Sequence, residues 1–466
     1  MSASVEEVLD RLSTKVSVHV NSGATLVADT DKAAAAIDRQ RARKTDEAEP
    51  SFRKPGLSPL SIAERHDLIA TPWDLISVFA RATTLARQGR GRGLAEHWQG
   101  LKYCQALGAR SGGHLSLTED GQSPELSYRA MQARELGRAF GLAVAERTVR
   151  NRFPDHMIST LDTEAVLLAG FARSGTRPSL GARPRPDFFV EAWRPGEPSR
   201  VFVVTVNGNH QVANKRTAKA ERSAYKQLAR GSERAEHFHL AEWDDTPCLL
   251  LSTELVATEG ITVNALEAHG KGLLPTRPSE GRKSADAELG ERNLPYAGAV
   301  KSPAGEGRRE RHHDGFLIPR RELNWYGQLL ARTAAAGQLA LAGAGTETAR
   351  YLTAKQGRKH YEQRTFAGSS SIRDARHTIG GTAYVGTDQV FRLNRVRVEA
   401  FSGIAEELYD LLVKGQVEEY RSRAFELRDT YPTGTTAPLW GPVSFSNDGT
   451  VIALRVLPPR DDAGNP

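Results

Sequence analysis

The feature that most constrains this chain is a pair of apolar runs at its centre. Residues 187–193 read Asp-Phe-Phe-Val-Glu-Ala-Trp, residues 201–207 read Val-Phe-Val-Val-Thr-Val-Asn, and Arg194-Pro-Gly-Glu-Pro-Ser lies between them. Short runs rich in β-branched and aromatic residues, punctuated by Pro and Gly, predict two strands joined by a tight turn. Residues 127–153 form one long helical pattern of Ala, Leu and Arg that Pro154 ends. A strand candidate at 157–161 and an apolar segment at 165–171 come next, then a Gly/Pro/Arg loop at 174–184. Downstream, residues 214–238 read as a charged amphipathic helix, and 247–256 and 261–266 read as strands. The expected order is helix, three strands, helix, strand, strand.

The remaining sequence divides around this centre. Residues 1–124 are expected to be a mainly helical N-terminal region, with a strand at 15–20 and a loose, charged stretch at 34–50. Residues 125–268 form the core and 269–312 a linker rich in Gly, Pro and charge. A separate α+β domain follows at 313–458, with helices near 347–363 and 404–427, and 459–466 is a tail. A hairpin near its end is turned by Asn447-Asp448-Gly449. The 466 residues hold 63 Lys and Arg against 56 Asp and Glu, a net charge of +7, which fits nucleic-acid binding. No apolar run approaches the ~18 residues of a membrane-spanning helix, so no membrane partner is expected. Two cysteines, Cys104 and Cys248, fit a reducing cytoplasm.

With Pro186-Asp187 opening one strand, an apolar second strand ending Thr205-Val206-Asn207-Gly208, a basic helix and a further strand, residues 130–256 resemble the PD-(D/E)xK (restriction-endonuclease-like) nuclease superfamily. The sequence around Trp193-Arg-Pro-Gly-Glu-Pro-Ser is also similar to a group of actinobacterial proteins of that type. The resemblance implies an α/β fold with an αβββαβ core. It also implies an acid at the head of one strand and a Glu-x-Lys on the next, which together hold Mg²⁺ and a water. Two carboxylates suit Mg²⁺, the metal acidifies the attacking water, and metal and lysine stabilise the charge that develops on phosphate. Asp187 matches the first half. Thr205 and Asn207 stand where the Glu and Lys should be, so the motif is degraded.

Three residues could compensate. Glu191, four after Asp187, shares its strand face. Lys215, in the following helix, could replace the strand lysine, and Glu135, in the long helix, could add a ligand. The expected metal ligands are therefore Asp187, Glu191 and Glu135, and Mg²⁺ belongs to the expectation only for an active site. Lys215, Arg216, Lys219, Arg222, Lys226 and Gln227 form the expected nucleic-acid contacts, since cations three or four apart share one helix face. The leading expectation is a nucleic-acid-binding protein, most readily of DNA, on a nuclease-like core with a degraded metal site, in DNA processing or defence against foreign DNA. The alternatives are an active Mg²⁺-dependent nuclease with migrated residues and a non-enzymatic assembly or regulatory protein. A homo-oligomer is compatible with each.

Overall fold

The computed structural model describes residues 4–44, 51–85, 98–110, 112–122, 125–171, 183–210, 219–241, 246–256, 260–276, 289–290, 292–296, 300–302, 311–362 and 372–458. The N-terminal region supplies α1 (Val5–Ser13), β1 (Val16–Asn21), α2 (Ala24–Ala42), β2 (Leu57–Pro59), β3 (Leu68–Ala70) and α3 (Pro72–Thr83). The centre supplies α4 (Leu126–Arg152), β4 (Met157–Asp162), α5 (Thr163–Gly170), β5 (Phe188–Trp193) and β6 (Ser199–Asn209). It continues with α6 (Lys219–Glu236), β7 (Cys248–Glu254), β8 (Thr262–Ala268) and β9 (Leu273–Leu274). The C-terminal part contains α7 (Leu323–Leu341), β10 (Ala375–Ile379), β11 (Thr382–Leu393), β12 (Val396–Ala405), α8 (Glu406–Val413), α9 (Val417–Leu427), β13 (Val443–Phe445) and β14 (Thr450–Val456).

The protein is mixed α/β. A nine-stranded sheet runs β3-β1-β8-β7-β6-β5-β4, with β2 on β8 and β9 on β6. β4, β5 and β6 form an antiparallel meander, with Asp162 opposite Phe188 and Phe188 opposite Val204. Through α6 the chain then crosses to β7, which lies parallel to β6. Both faces of β5 and β6 are buried. Phe202, Val204 and Val206 pack with Phe140 and Val144 of α4. Val201, Val203 and Phe189 pack on the other face with Leu228 of α6 and Tyr326 of α7. That two-sided burial explains why these strands are continuously apolar in sequence.

Two glycines set the depth of α4. A Cβ on Gly208 of β6 would lie 1.8 Å from the Ala133 carbonyl oxygen, and one on Gly137 would lie 2.3 Å from the Gly208 Cα. Helix and strand therefore meet backbone to backbone, at a distance no side chain permits.

The N-terminal region is less helical than expected, because it completes the central sheet: β1 lies parallel to β8, with His19 opposite Thr262. The loose stretch at 34–50 is helical as far as Ala42. The apolar segment 165–171 belongs to a helix, α5. Within the expected linker, residues 300–302 and 311–313 pair as a short ladder. The C-terminal sheet, β10-β11-β12-β14-β13, is not a separate body. Its Val398, Ala400, Ile452 and Leu454 join the core cluster that contains Trp73 of α3, whose Nε1 donates to the Ile452 carbonyl at 2.9 Å. The helix expected over 404–427 is two, α8 and α9, divided at Gly415, which takes φ +76. That left-handed residue terminates α8. The helix expected over 347–363 is also two, Gly345–Tyr351 and Arg358–Tyr361: the first ends where Leu352 turns extended, and Gly357 at φ +94 precedes the second. Among the described residues, no helix is long and apolar enough to cross a membrane.

One arginine joins the N-terminal region to the core. Arg152 at the end of α4 donates to both Glu64 oxygens, at 2.5 and 2.6 Å, and pairs with Glu267 of β8 at 2.7 Å. Burial alone would raise the Glu64 pKa, but Arg152 and Ser61 hold it below the usual glutamate value. A carboxyl with a depressed folded pKa contributes stability above its unfolded pKa and loses it as pH falls through the folded value. Wild-type stability is therefore expected to fall more steeply than that of Glu64→Gln as pH drops below the ordinary glutamate range. Denaturant titrations of both proteins across that range check this; parallel curves would contradict it.

Candidate functional site

The expected site is built where β5 and β6 face α6. The Asp187 backbone enters the ladder by donating to the Val204 carbonyl at 2.9 Å, which fixes the carboxylate at the strand head. Asp187 Oδ2 accepts from the Val206 amide at 2.9 Å. The Arg234 guanidinium of α6 reaches both carboxylate oxygens, with Nη1 at 3.0 Å from Oδ1 and 2.9 Å from Oδ2. Arg234 Nη2 donates to Asn207 Oδ1 at 3.3 Å. One guanidinium thus bridges Asp187 and Asn207, the asparagine at the position where a lysine was expected.

The inner face of α6 seals the remainder. Gln227, Gly231 and Arg234 recur at helical spacing and meet β6 in sequence. Gln227 Nε2 donates to the Gly208 carbonyl at 3.0 Å, its Oε1 accepts from Ser252 at 2.7 Å, and its carbonyl accepts from Asn207 Nδ2 at 3.3 Å. A Cβ on Gly231 would stand 2.6 Å from Thr205 Oγ1. Thr205 is fully buried there, and its hydroxyl has no hydrogen-bond partner among the described residues.

These residues do not fit Mg²⁺. A fixed positive charge already sits within 3.0 Å of both Asp187 oxygens, and Thr205 and Asn207 offer only neutral oxygens under a closed helix. Among the described residues no group of three or more His, Cys, Asp or Glu could hold a metal ion.

Glu191 does not join Asp187. Four residues of strand separate them by about 13 Å. Glu191 is fully buried and faces Arg421 of α9, at 3.4 and 3.5 Å, whose guanidinium lies 3.7 Å above the Trp193 ring. Glu135 is on the opposite side of the sheet, on the face packed by α4, where it accepts from Tyr103 Oη and pairs with Lys102, each at 2.6 Å. Lys215 and Arg216 lie outside the described residues, while Lys219 and Arg222 fall in the first turn of α6. Lys226 is exposed on α6, as is Arg230. Gln227, expected to contact nucleic acid, points inward. His210 approaches the Gly121 carbonyl at 3.2 Å, at the edge of the assembly.

The residue that sequence reasoning did not single out is Arg234, one of several cations of α6. Its position seven after Gln227 and three after Gly231 places it on the buried stripe. Arg421 carried no signal, since its partner is 230 residues away.

Two substitutions test this geometry. Gly231→Ala is expected to cost about 1–3 kcal/mol by pushing α6 off Thr205. Thr205→Ala in the same chain should recover much of that, as read by chemical denaturation. Arg421→Ala should cost about 3–5 kcal/mol, because it removes the guanidinium that faces the buried Glu191 carboxylate. Replacing both partners with Arg421→Met and Glu191→Gln should cost distinctly less. Compared with known families, curated proteins and solved structures, the chain matches none.

Proposed function

We propose that this chain is a nucleic-acid-binding protein built on a PD-(D/E)xK-like core in which an arginine has taken the place of the catalytic metal, acting in DNA processing or defence against foreign DNA. The observation that carries the reading is the Arg234 bridge between Asp187 and Asn207. The sheet order supports the nuclease-like ancestry: an antiparallel meander, a crossover helix and a parallel fourth strand, with a long helix on the opposite face. A guanidinium held in place is a permanent cation. It stabilises Asp187 as a metal would, but it has no open position for a water or a phosphate oxygen, so the chemistry of strand cleavage is absent. Binding needs only surface charge. The net charge of +7 and the exposed Lys226 and Arg230 on the outer side of α6 supply it.

Affinity for a DNA duplex, measured at about 50 and 200 mM salt, is expected to fall steeply with salt, and Lys226→Ala with Arg230→Ala should shallow that dependence. With Mg²⁺ or Mn²⁺ present, neither wild type nor Arg234→Ala should cut DNA. Cleavage by wild type that Asp187→Ala abolishes would instead make the protein an active nuclease. Absence of binding at low salt would leave the core as an assembly surface.

A further inference from the structure

Away from the Arg234 bridge, a cavity of about 510 Å³ opens between α3, α4, β4, α7 and the β13–β14 turn. Its size is that of small-molecule sites. Its walls are mixed: Leu75, Val78, Ile158 and Leu341 supply apolar surface, and Thr160, Thr433 and Thr435 supply hydroxyls. Four carboxylates and four cations line it, so the formal charges cancel: Asp74, Glu146, Asp162 and Asp448 against Lys15, Arg81, Arg147 and Arg150.

Most of these charges are already spent on the fold. Arg81 donates Nε to Thr450 at 3.0 Å, Nη1 to Ser444 Oγ at 3.2 Å and Nη2 to the Ser444 carbonyl at 2.7 Å. Arg147 donates to the Glu64 and His66 carbonyls. Asp448 accepts from the Thr450 amide and hydroxyl and from Gln338, Asp74 caps α3, and Asp162 caps α5.

Three charges remain: the exposed Lys15, and the opposite pair Glu146 and Arg150. Glu146 receives one hydrogen bond, from Thr160 at 2.6 Å on Oε1. Arg150, one helical turn along, is exposed at the mouth, and among the described residues no ion pair within 4 Å joins it to Glu146. Neighbours four apart on a helix could pair directly. Here they face one cavity with both charges available.

We infer that this cavity binds a small zwitterion of amino-acid type, its ammonium on Glu146, its carboxylate on Arg150 and its side chain against Leu75, Val78 and Leu341. Burial raises the Glu146 pKa against the opposing influence of Arg150, Thr160 and Arg81, with Asp448 adding to the rise. An arriving ammonium would favour the ionised carboxylate.

The test is calorimetry and thermal shift on the full chain with the twenty amino acids, beside simple amines and carboxylates that match each half. At least one amino acid with an apolar side chain should bind, its matched amine and carboxylate at least tenfold more weakly. Glu146→Gln and Arg150→Gln should each weaken binding at least tenfold while the unliganded proteins still melt cooperatively. Should either variant misfold, the two half-ligands on wild type decide alone. No binding by any amino acid, equal binding by one half-ligand, or binding that survives both substitutions would overturn the inference. DNA affinity is a separate readout, so failure here leaves the nucleic-acid reading standing.

Discussion

The contact on which the rest depends is the one between Gly137 and Gly208. It lets α4 lie on β6 with no side chain between, so every residue further along the helix is placed to within a narrow tolerance. Phe140 and Val144 then reach the core beneath Val204 and Val206. Glu146 and Arg150 emerge at one cavity, and Arg152 arrives between Glu64 and Glu267. On the opposite face Gly231 does the same for α6, and its close approach to Thr205 is what brings Arg234 onto Asp187. Two glycine contacts, one per face, thus determine what each helix can present.

The charges of the interior follow one pattern. Asp187 is held by Arg234, Glu191 by Arg421, and Glu64 and Glu267 by Arg152. Each pair links an element of the central sheet to a helix, or to a segment distant in sequence. A buried ion pair adds little net stability over apolar side chains of the same volume, but breaking it is costly, so such pairs act chiefly against misplacement of helices. The arginine-rich composition is in this sense partly structural: several guanidiniums belong to the interior and not to a binding surface.

Much of this was legible in the sequence where the signal is local. The strands at 157–161, 187–193, 201–207, 247–256 and 261–266 announce themselves by apolar runs and by Pro and Gly between them, and α4 by its Ala and Leu pattern. The turn at Asn447-Asp448-Gly449 forms as its residues require, with Gly449 at φ +82. That Thr205 and Asn207 bring no charge to this place was visible too. What local patterns could not give is which cation faces inward. Arg230 and Arg234 are equivalent by composition, and only the glycine at 231 and the pairing of β6 with α6 separate an exposed residue from one that grips Asp187. The breaks after Tyr351 and at Gly415 were missed because a helical period on either side of a break does not reveal the backbone angles within it.

The parallel pairing of β1 with β8 has a consequence for synthesis. Val20 sits beside Val263, so once made β1 must wait for more than two hundred further residues before its partner exists. Its neighbour on the other side, β3, is available early, but an isolated two-stranded ribbon is marginal in water. The nascent chain therefore carries an unpaired edge until β8 is made, and this long-range pairing belongs among the slower events of its maturation.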